Sequence, residues 1–426
     1  MKVAFYSASF SGARKGHIPT GIGFLMSAVE KHKIGECKYC TDVKDIVRYD
    51  PDFLCVSSTS QVIQDAYTVA TKVKEQCPRT MMVLGGYHIT ALPKTLQAPF
   101  DVGVLSEGEW TLCALLCEWS GIMMDHIPGI CFLENGKVVV NERQELEFNL
   151  DNFPHPKKSY PYPPYVGKIF GSRGCIYRCD YCGSSKHWGR KQRSHSAKYI
   201  AEECKQIYKQ YHIRNLEFLD DIFATDLPHM CELEKELEKN GILGKVSFRG
   251  FVRANCMTDK MAIQLKRLNF SGVRFGAESG SQRVLDKLKR YASVKNNQEA
   301  IDILRDHKLG VSMSFMVGSV GETPQDLNQT YNFIKKNASK AHVAGLYLLS
   351  PCPGTKLWDY AMEQGLVTED QDKMDWSTLM LDVQKPNFSW SKCVYLNEDT
   401  MSRKQLKYYV NKILGLMVPK TGWKGK

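Results

Sequence analysis

The sequence predicts an α/β protein built from two successive parallel-sheet units, the second a partial or complete barrel of six strand–helix units, (β/α)6, ending in a small helical C-terminal region. Three observations predict it. Strand-length apolar runs alternate with helical windows in two separate series. A proline-rich stretch divides the series. Six strand–helix units follow the prolines, with chemistry-bearing residues at the ends of their strands. Composition agrees with an ordinary globular chain: of 426 residues, 43% are hydrophobic and 24% charged. That balance excludes disordered, collagen-like and low-complexity classes, and at roughly 100–200 residues per domain the length implies two or three domains.

The first unit covers residues 1–145. VAFYSASF, FLCVSS, MMVLGG and VGVLSEG read as strands, and GIGFLMSAVEKH, DAYTVATKVKEQC and EWTLCALLCEW as the helices between them. GICFLENGKVVVN reads as a hairpin turning at Asn135-Gly136. The strand ends are small and polar: Ser7-Ala8-Ser9, Ser57-Ser58-Thr59, Gly85-Gly86 and Ser106-Glu107-Gly108-Glu109. Ligands of open parallel sheets sit at that edge, and small residues let a large ligand approach the backbone. Ordinary strand-to-helix turns want the same residues, so both readings stand. No G-x-G-x-x-G follows the first strand, which removes a dinucleotide fingerprint.

Residues 146–165 form a stiff connector with Pro154, Pro156, Pro161, Pro163 and Pro164. The second unit, 166–360, alternates the strands GKIFGSR, NLEFLD, KVSFRGFV, GVRFGAE, VSMSFMVG and GLYLLS with helical windows. Residues 361–426 are less regular and end in the helical SRKQLKYYVNKILGLM. By position alone, the stretch Trp376 to Trp390 is expected to cap an active site. The formal charge is +11, and Arg403, Lys404, Lys407, Lys412, Lys420, Lys424 and Lys426 crowd the C-terminus. A solvated helix face explains that crowding best; an anionic substrate or nucleic acid is the lesser reading.

Fifteen cysteines, an odd number, argue against a disulfide framework. Cys55, Cys113, Cys117, Cys204 and Cys231 fall on apolar or helical patterns and read as core thiols. No stretch approaches the ~18 apolar residues of a membrane span, and glycine and charge interrupt the N-terminus too soon for a signal peptide. A cytoplasmic location is expected. One motif dominates the chemistry. Cys175, Cys179 and Cys182 fall within eight residues, directly after the first barrel strand. Three thiolates there suit either a zinc site completed by His187 or an iron–sulfur cluster with one iron left open. The end of a barrel strand favours catalysis.

Cys175-x₃-Cys179-x₂-Cys182 resembles the signature of the radical S-adenosylmethionine (SAM) enzymes, and the downstream strand ends resemble that family in order and spacing. The resemblance implies a 4Fe–4S cluster on the three cysteines and a SAM site drawn from Tyr181, Asp220, Asp221, Arg253, Glu278, Ser279, Val317 and Gly318. The first unit is similar to the Rossmann-like cobalamin-binding domain fused to one large class of these enzymes. That similarity implies cobalamin contacts at Ser57, Ser58, Thr59, Gly85, Gly86, His88, Glu107 and Gly108. Relatives with a protein ligand on cobalt carry Asp-x-His-x-x-Gly, whereas this chain has Lys15-Gly-His17-Ile-Pro-Thr20, which leaves His17 as the weakest member of the set.

The implied activity is reductive cleavage of SAM to a 5′-deoxyadenosyl radical and, with cobalamin, methylation of an unactivated carbon. The implied partners are a small-molecule or peptide substrate and an external electron donor of flavodoxin or ferredoxin type. A non-methylating cyclisation, ring contraction or rearrangement is the alternative. A methylthiotransferase acting on RNA is a second one, weakened because Cys37 and Cys40 are the only close early pair and no RNA-binding barrel follows. Cys352, in the turn after the last barrel strand, reads either as a thiol at the barrel mouth or as a small buried hydrophobe. No motif names the substrate.

Overall fold

Strand β1 (Lys2–Ser7) buries Val3 and Phe5 on one face and Ala4 and Tyr6 on the other. Such a strand must be covered on both sides, as in a parallel sheet between helical layers. The computed structural model describes residues 1–9, 16–118, 124–161, 166–386 and 388–417. Lys15, Pro163, Pro164, Lys420, Lys424 and Lys426, which figure in the sequence reading, lie outside the described residues.

The chain continues through α1 (Thr20–Lys31), β2 (Glu36–Tyr39), α2 (Val43–Tyr49), β3 (Phe53–Ser57), α3 (Ile63–Gln76), β4 (Met81–Gly85), α4 (Tyr87–Ala91), β5 (Val102–Val104) and α5 (Gly108–Glu118). Antiparallel strands β6 (Ile130–Glu134) and β7 (Lys137–Val140) extend the sheet, turning on Asn135 and Gly136, both at positive φ as the hairpin requires. The order is β2-β1-β3-β4-β5-β6-β7. Strand order reverses between β1 and β3, which opens a crevice at their carboxyl ends. Helices α1 and α5 cover one face of the sheet and α3 and α4 the other.

The second sheet is all parallel, in the order β8-β11-β12-β13-β14-β15. Its strands are β8 (Gly167–Ile169), β11 (Asn215–Phe218), β12 (Ser247–Phe251), β13 (Phe270–Glu278), β14 (Gly310–Val317) and β15 (His342–Leu348). Between β8 and β11 lie the short β9 (Ser172–Arg173), α6 (Ser184–Trp188), β10 (Arg193–Ser194) and the long α7 (Ala197–Tyr211). The remaining crossovers are α8 (Leu227–Lys239), α9 (Asp259–Arg267), α10 (Gln282–Leu288) with α11 (Val294–Asp306), and α12 (Pro324–Asn337). Ser196, Asp226, Thr258, Ser293 and Thr323 cap these helices, each accepting a hydrogen bond from a first-turn backbone N–H. Phe218, Phe248, Phe275 and Phe315 belong to the core between strands and helices. Among the described residues the sheet does not close, which makes this the expected partial barrel.

The C-terminal segment is less helical than its position suggested. After α13 (Lys356–Glu363) it runs mostly irregularly to α14 (Arg403–Met417). Leu348 N–H donates to the Leu381 carbonyl at 2.7 Å, and Asp382 bridges to Tyr347, so the segment covers the free edge of β15. Trp376 is a joint rather than a cap. Its ring stacks on Trp358 (5.9 Å), meets His88 edge-on (4.8 Å) and sits in the core shared with α3 and α4. Trp390 packs against the barrel core, edge-on to Phe388. Helix α14 buries Leu406, Val410 and Ile413 and exposes Lys404 and Lys407, as a solvated amphipathic face does.

Candidate active site

The cysteine loop is pinned at its base. Strands β9 and β10 pair antiparallel, Arg173 with Arg193 and Ser172 with Ser194, so the chain enters and leaves at one point. Gly174 stands at φ +89° with the Lys191 carbonyl where a Cβ would go, so glycine alone fits. Asp220 anchors the incoming strand, accepting from Gly171 N–H (2.7 Å) and Ser172 Oγ (2.6 Å); burial pushes its carboxyl up to about 7. It positions the loop and is itself enclosed. Its neighbour Asp221 is exposed and accepts from Ser184 Oγ (2.6 Å); its charge adds to the burial that holds the protons of Cys175 and Cys182. The expected acidic pair therefore divides into a buried anchor and an accessible group.

Cys175 and Cys179 are half-buried and Cys182 is exposed on the loop. Surrounding protein atoms push the Cys182 thiol up to about 12 and Cys175 in the same direction. These thiols become thiolates where a cation replaces the proton. Among the described residues, no three His, Cys, Asp or Glu side chains gather closely enough to hold one ion. Three thiols with an open fourth position suit a cubane, whereas a closed zinc site needs a fourth protein ligand. The His187 ring, the fourth ligand of the zinc alternative, is stacked on Tyr87 (5.3 Å) and edge-on to Trp188 (4.4 Å). The donor set fits a cluster.

Around the loop, charge is arranged in pairs. Arg253 is buried with its guanidinium 3.7 Å from the Tyr177 ring centroid; Nη1 donates to Cys179 Sγ (3.4 Å) and Nε to Asn255 Oδ1 (2.9 Å). Tyr181 donates to Glu278 Oε1 (2.9 Å), which also pairs with Lys289 (2.9 Å). Glu278 ends β13 at φ +60°, a strained conformation for glutamate that this buried pairing holds in place. The sequence reading missed Tyr177 and Lys289, since neither stands in a recognisable spacing.

Two of the residues expected at the SAM site turn their side chains into packing. Ser279 is fully buried against Thr330 (3.1 Å), and Gly280 N–H donates to the same hydroxyl, so this turn is shaped by helix α12. The Val317 side chain lies in the barrel core. Gly318, at φ +82°, donates its N–H to buried Glu322 (2.6 Å), whose carboxyl burial pushes up to about 8. Val317 and Gly318 therefore offer only backbone to a ligand. Cys352 is half-buried in a turn closed by Thr355 Oγ1 on its carbonyl (2.6 Å), and burial pushes its thiol up to about 11.

The cysteine loop docks directly on the strand ends of the first sheet. Buried Arg173 donates to Glu109 (2.7 Å) and lies 3.6 Å from Glu107, while Arg193 forms an ion pair with Glu107 and donates to the Glu147 carbonyl (2.6 Å). Beside this network lies a mostly apolar cavity of about 320 Å³ at the β1/β3 crevice. Ser57, Gly85, Gly86, Glu107 and Gly108 line it from the first sheet, and His187 and Trp188 from the cysteine loop. His187 Nδ1 is buried there without a partner among the described residues. These features fit the less polar part of a large bound cofactor.

Other expected cobalamin contacts stand apart. Ser58 is buried with its hydroxyl on the Thr59 carbonyl (2.9 Å), and Thr59 is exposed outside the lining. The fully buried His88 is held by Ser60 Oγ (3.0 Å), Thr95 Oγ1 (3.2 Å) and Gln371 Nε2 (2.9 Å). It is a joint to the C-terminal segment, not a cofactor contact. His17 also lies outside the lining, its ring centroid 6.1 Å from that of Tyr160. Cys37 and Cys40 are buried in the cores on opposite faces of the first sheet, so the early pair does not converge on a second cluster site.

Comparison with known proteins agrees with this geometry. The radical SAM superfamily model matches residues 169–334 and the B12 binding domain model matches residues 37–116. An uncharacterized methyltransferase, PH0819 of Pyrococcus horikoshii, is 30% identical over 368 residues, covering 82% of this chain and 79% of the relative. Cytidylyl-2-hydroxyethylphosphonate methyltransferase of Streptomyces wedmorensis is 24% identical over 382 residues, covering 77% of this chain and 70% of the relative. The solved structure of the radical SAM methyltransferase TsrM from Kitasatospora setae, with cobalamin and a [4Fe-4S] cluster bound, shares the fold at a TM-score of 0.76 and 16% identity; the match covers 98% of this chain and 89% of that one. With a cysteine loop seated on the strand ends of a B12-type sheet, the chain belongs to the radical SAM enzymes that carry an N-terminal B12-binding domain.

Proposed function

We propose that this protein is a cobalamin-dependent radical SAM methyltransferase acting on an unactivated carbon of a small molecule. The observation that carries the reading is the docking of the cysteine loop on the first sheet, which brings Cys175, Cys179 and Cys182 and the β1/β3 cavity to one interface. When bound, a 4Fe–4S cluster would supply the electron that cleaves SAM to a 5′-deoxyadenosyl radical, and cobalamin would supply the methyl group. The three cysteines would hold the cluster. Arg253, fixed over Tyr177 and against Cys179, would offset negative charge on thiolate sulfur. Tyr181, Asp221, Glu278 and the Val317–Gly318 backbone would orient SAM, with Asp220 and Ser279 shaping the loops that present them. Ser57, Gly85, Gly86, Glu107 and Gly108, with His187 and Trp188, would enclose part of the corrinoid.

In this reading residues 1–145 form the cobalamin unit, 146–165 the connector, 166–360 the radical unit and 361–426 a C-terminal extension whose segment around Trp376 joins the two units. A flavodoxin- or ferredoxin-type donor would supply electrons. Among the described residues no helix is long and apolar enough to cross a membrane. Anaerobic protein supplied with SAM and a strong reductant should release 5′-deoxyadenosine, and Cys179→Ala should abolish it. Release that survives in the variant would remove the cluster from the proposal.

A further inference from the structure

We propose that the barrel lumen holds an anionic group of the substrate, a phosphate, phosphonate or carboxylate, between Arg249 and Arg274. Alternation along β13 sends Val273, Phe275 and Ala277 into the outer core and leaves Gly272, Arg274, Gly276 and Glu278 on the inner face. The inner wall is small: Gly272, Gly310, Ser312 and Ala344 line a cavity of about 670 Å³ at the N-terminal ends of the strands. That is ample for a small molecule, on the scale of ordinary ligand pockets.

The cavity's charge is unbalanced. Among its described lining residues Glu217 is the one acid. It forms an ion pair with Lys168, accepts from Arg249 Nη2 at 3.2 Å and lies 3.9 Å from Arg274 Nη1. Three cations around one carboxylate leave two positive charges facing a concave site, where field lines concentrate and anions are drawn in. The neighbouring cations outweigh burial and keep the Glu217 carboxyl below its ordinary value, so this lone acid stays ionised. Arg274 Nε is buried without a partner among the described residues, and its guanidinium lies 5.1 Å from the Phe251 ring centroid. A planar guanidinium with an uncommitted donor is built to bind phosphate or carboxylate oxygens.

Arg274 precedes Glu278 by four residues, but a bulge between Gly276 and Glu278 sets them against three steps of β14, a rise of about 10 Å along the strand. An occupant spanning the lumen is therefore elongated, with its anion at the end remote from the cysteine loop. Naming that occupant the substrate rests on the methyltransferase reading; the anion site itself does not.

Calorimetric titration of the full chain at low salt with propyl phosphate, butyrate and 1-propanol tests the site. Saturable 1:1 binding of one anion but not the alcohol is expected, and the preferred anion identifies phosphate or carboxylate chemistry. Arg249→Gln and Arg274→Gln should each weaken binding about tenfold or more. Arg267→Gln, on the outer face of α9 and 63% exposed, should leave it unchanged. Arg249 is 44% exposed, so its replacement spares the core even if Arg274→Gln folds poorly. Absence of saturable binding, or equal weakening by Arg267→Gln, would overturn the site. Release of 5′-deoxyadenosine by the wild type is measured separately. Its absence beside intact anion binding would withdraw the word substrate and leave the site; release without anion binding would do the reverse.

Discussion

At Tyr181 a phenol and a carboxylate depend on one another. The hydroxyl donates to Glu278, which Lys289 also holds. Tyr181→Phe should lower stability by about 1.5–3 kcal/mol, the range for hydrogen bonds to charged groups, as measured by urea unfolding. An unchanged midpoint would mean the bond is not formed. His88 makes the opposite case. Burial lowers its pKa to about 3, against about 6.5 unfolded, so between those values only the unfolded chain takes up the proton. Stability from neutral His88 is complete above pH 6.5 and declines on acidification. The advantage of wild type over His88→Gln should therefore shrink by about 2 kcal/mol between pH 7 and pH 5 in urea unfolding; a constant difference would place the ring in contact with water. At this scale the cysteine triad was legible because its spacing is local. His88 was misread because Ser60 and Gln371, which hold it, lie 28 and 283 residues away.

Strands β9 and β10 are two residues each, yet they close the cysteine loop and carry Arg173 and Arg193 to Glu109 and Glu107. Arg173→Met should destabilise the protein by about 3–5 kcal/mol, because the buried glutamates lose a partner while their charge remains. Thermal unfolding monitored by circular dichroism checks this, and a loss below about 1 kcal/mol would class the pair with exposed ones. Long helices with polar caps and strands with apolar runs were legible from local pattern. Strand β2 (ECKY) and helix α2 (VKDIVRY) were not, being short and weakly apolar. Nor were the buried arginine–glutamate pairs, whose members stand 64 and 86 residues apart.

The two sheets act as one body because a single hydrophobic core runs from α3 and α4 into Trp358, Trp376 and Leu379. Trp376→Ala should cost about 3–5 kcal/mol, the usual range for an emptied aromatic site, and should expose the first unit to proteolysis before the second; unaltered digestion would show that the ring is not the joint. The order of the two units was legible from alternation and the intervening prolines. The role of residues 361–417 was not, since edge-covering and interface packing depend on partners far away in sequence. Metal analysis tests the central claim most directly. Protein purified without oxygen and with cobalamin available should contain about four irons and one cobalt per chain, and Cys179→Ala should lose the iron while keeping the cobalt. One zinc with neither iron nor cobalt would contradict the account.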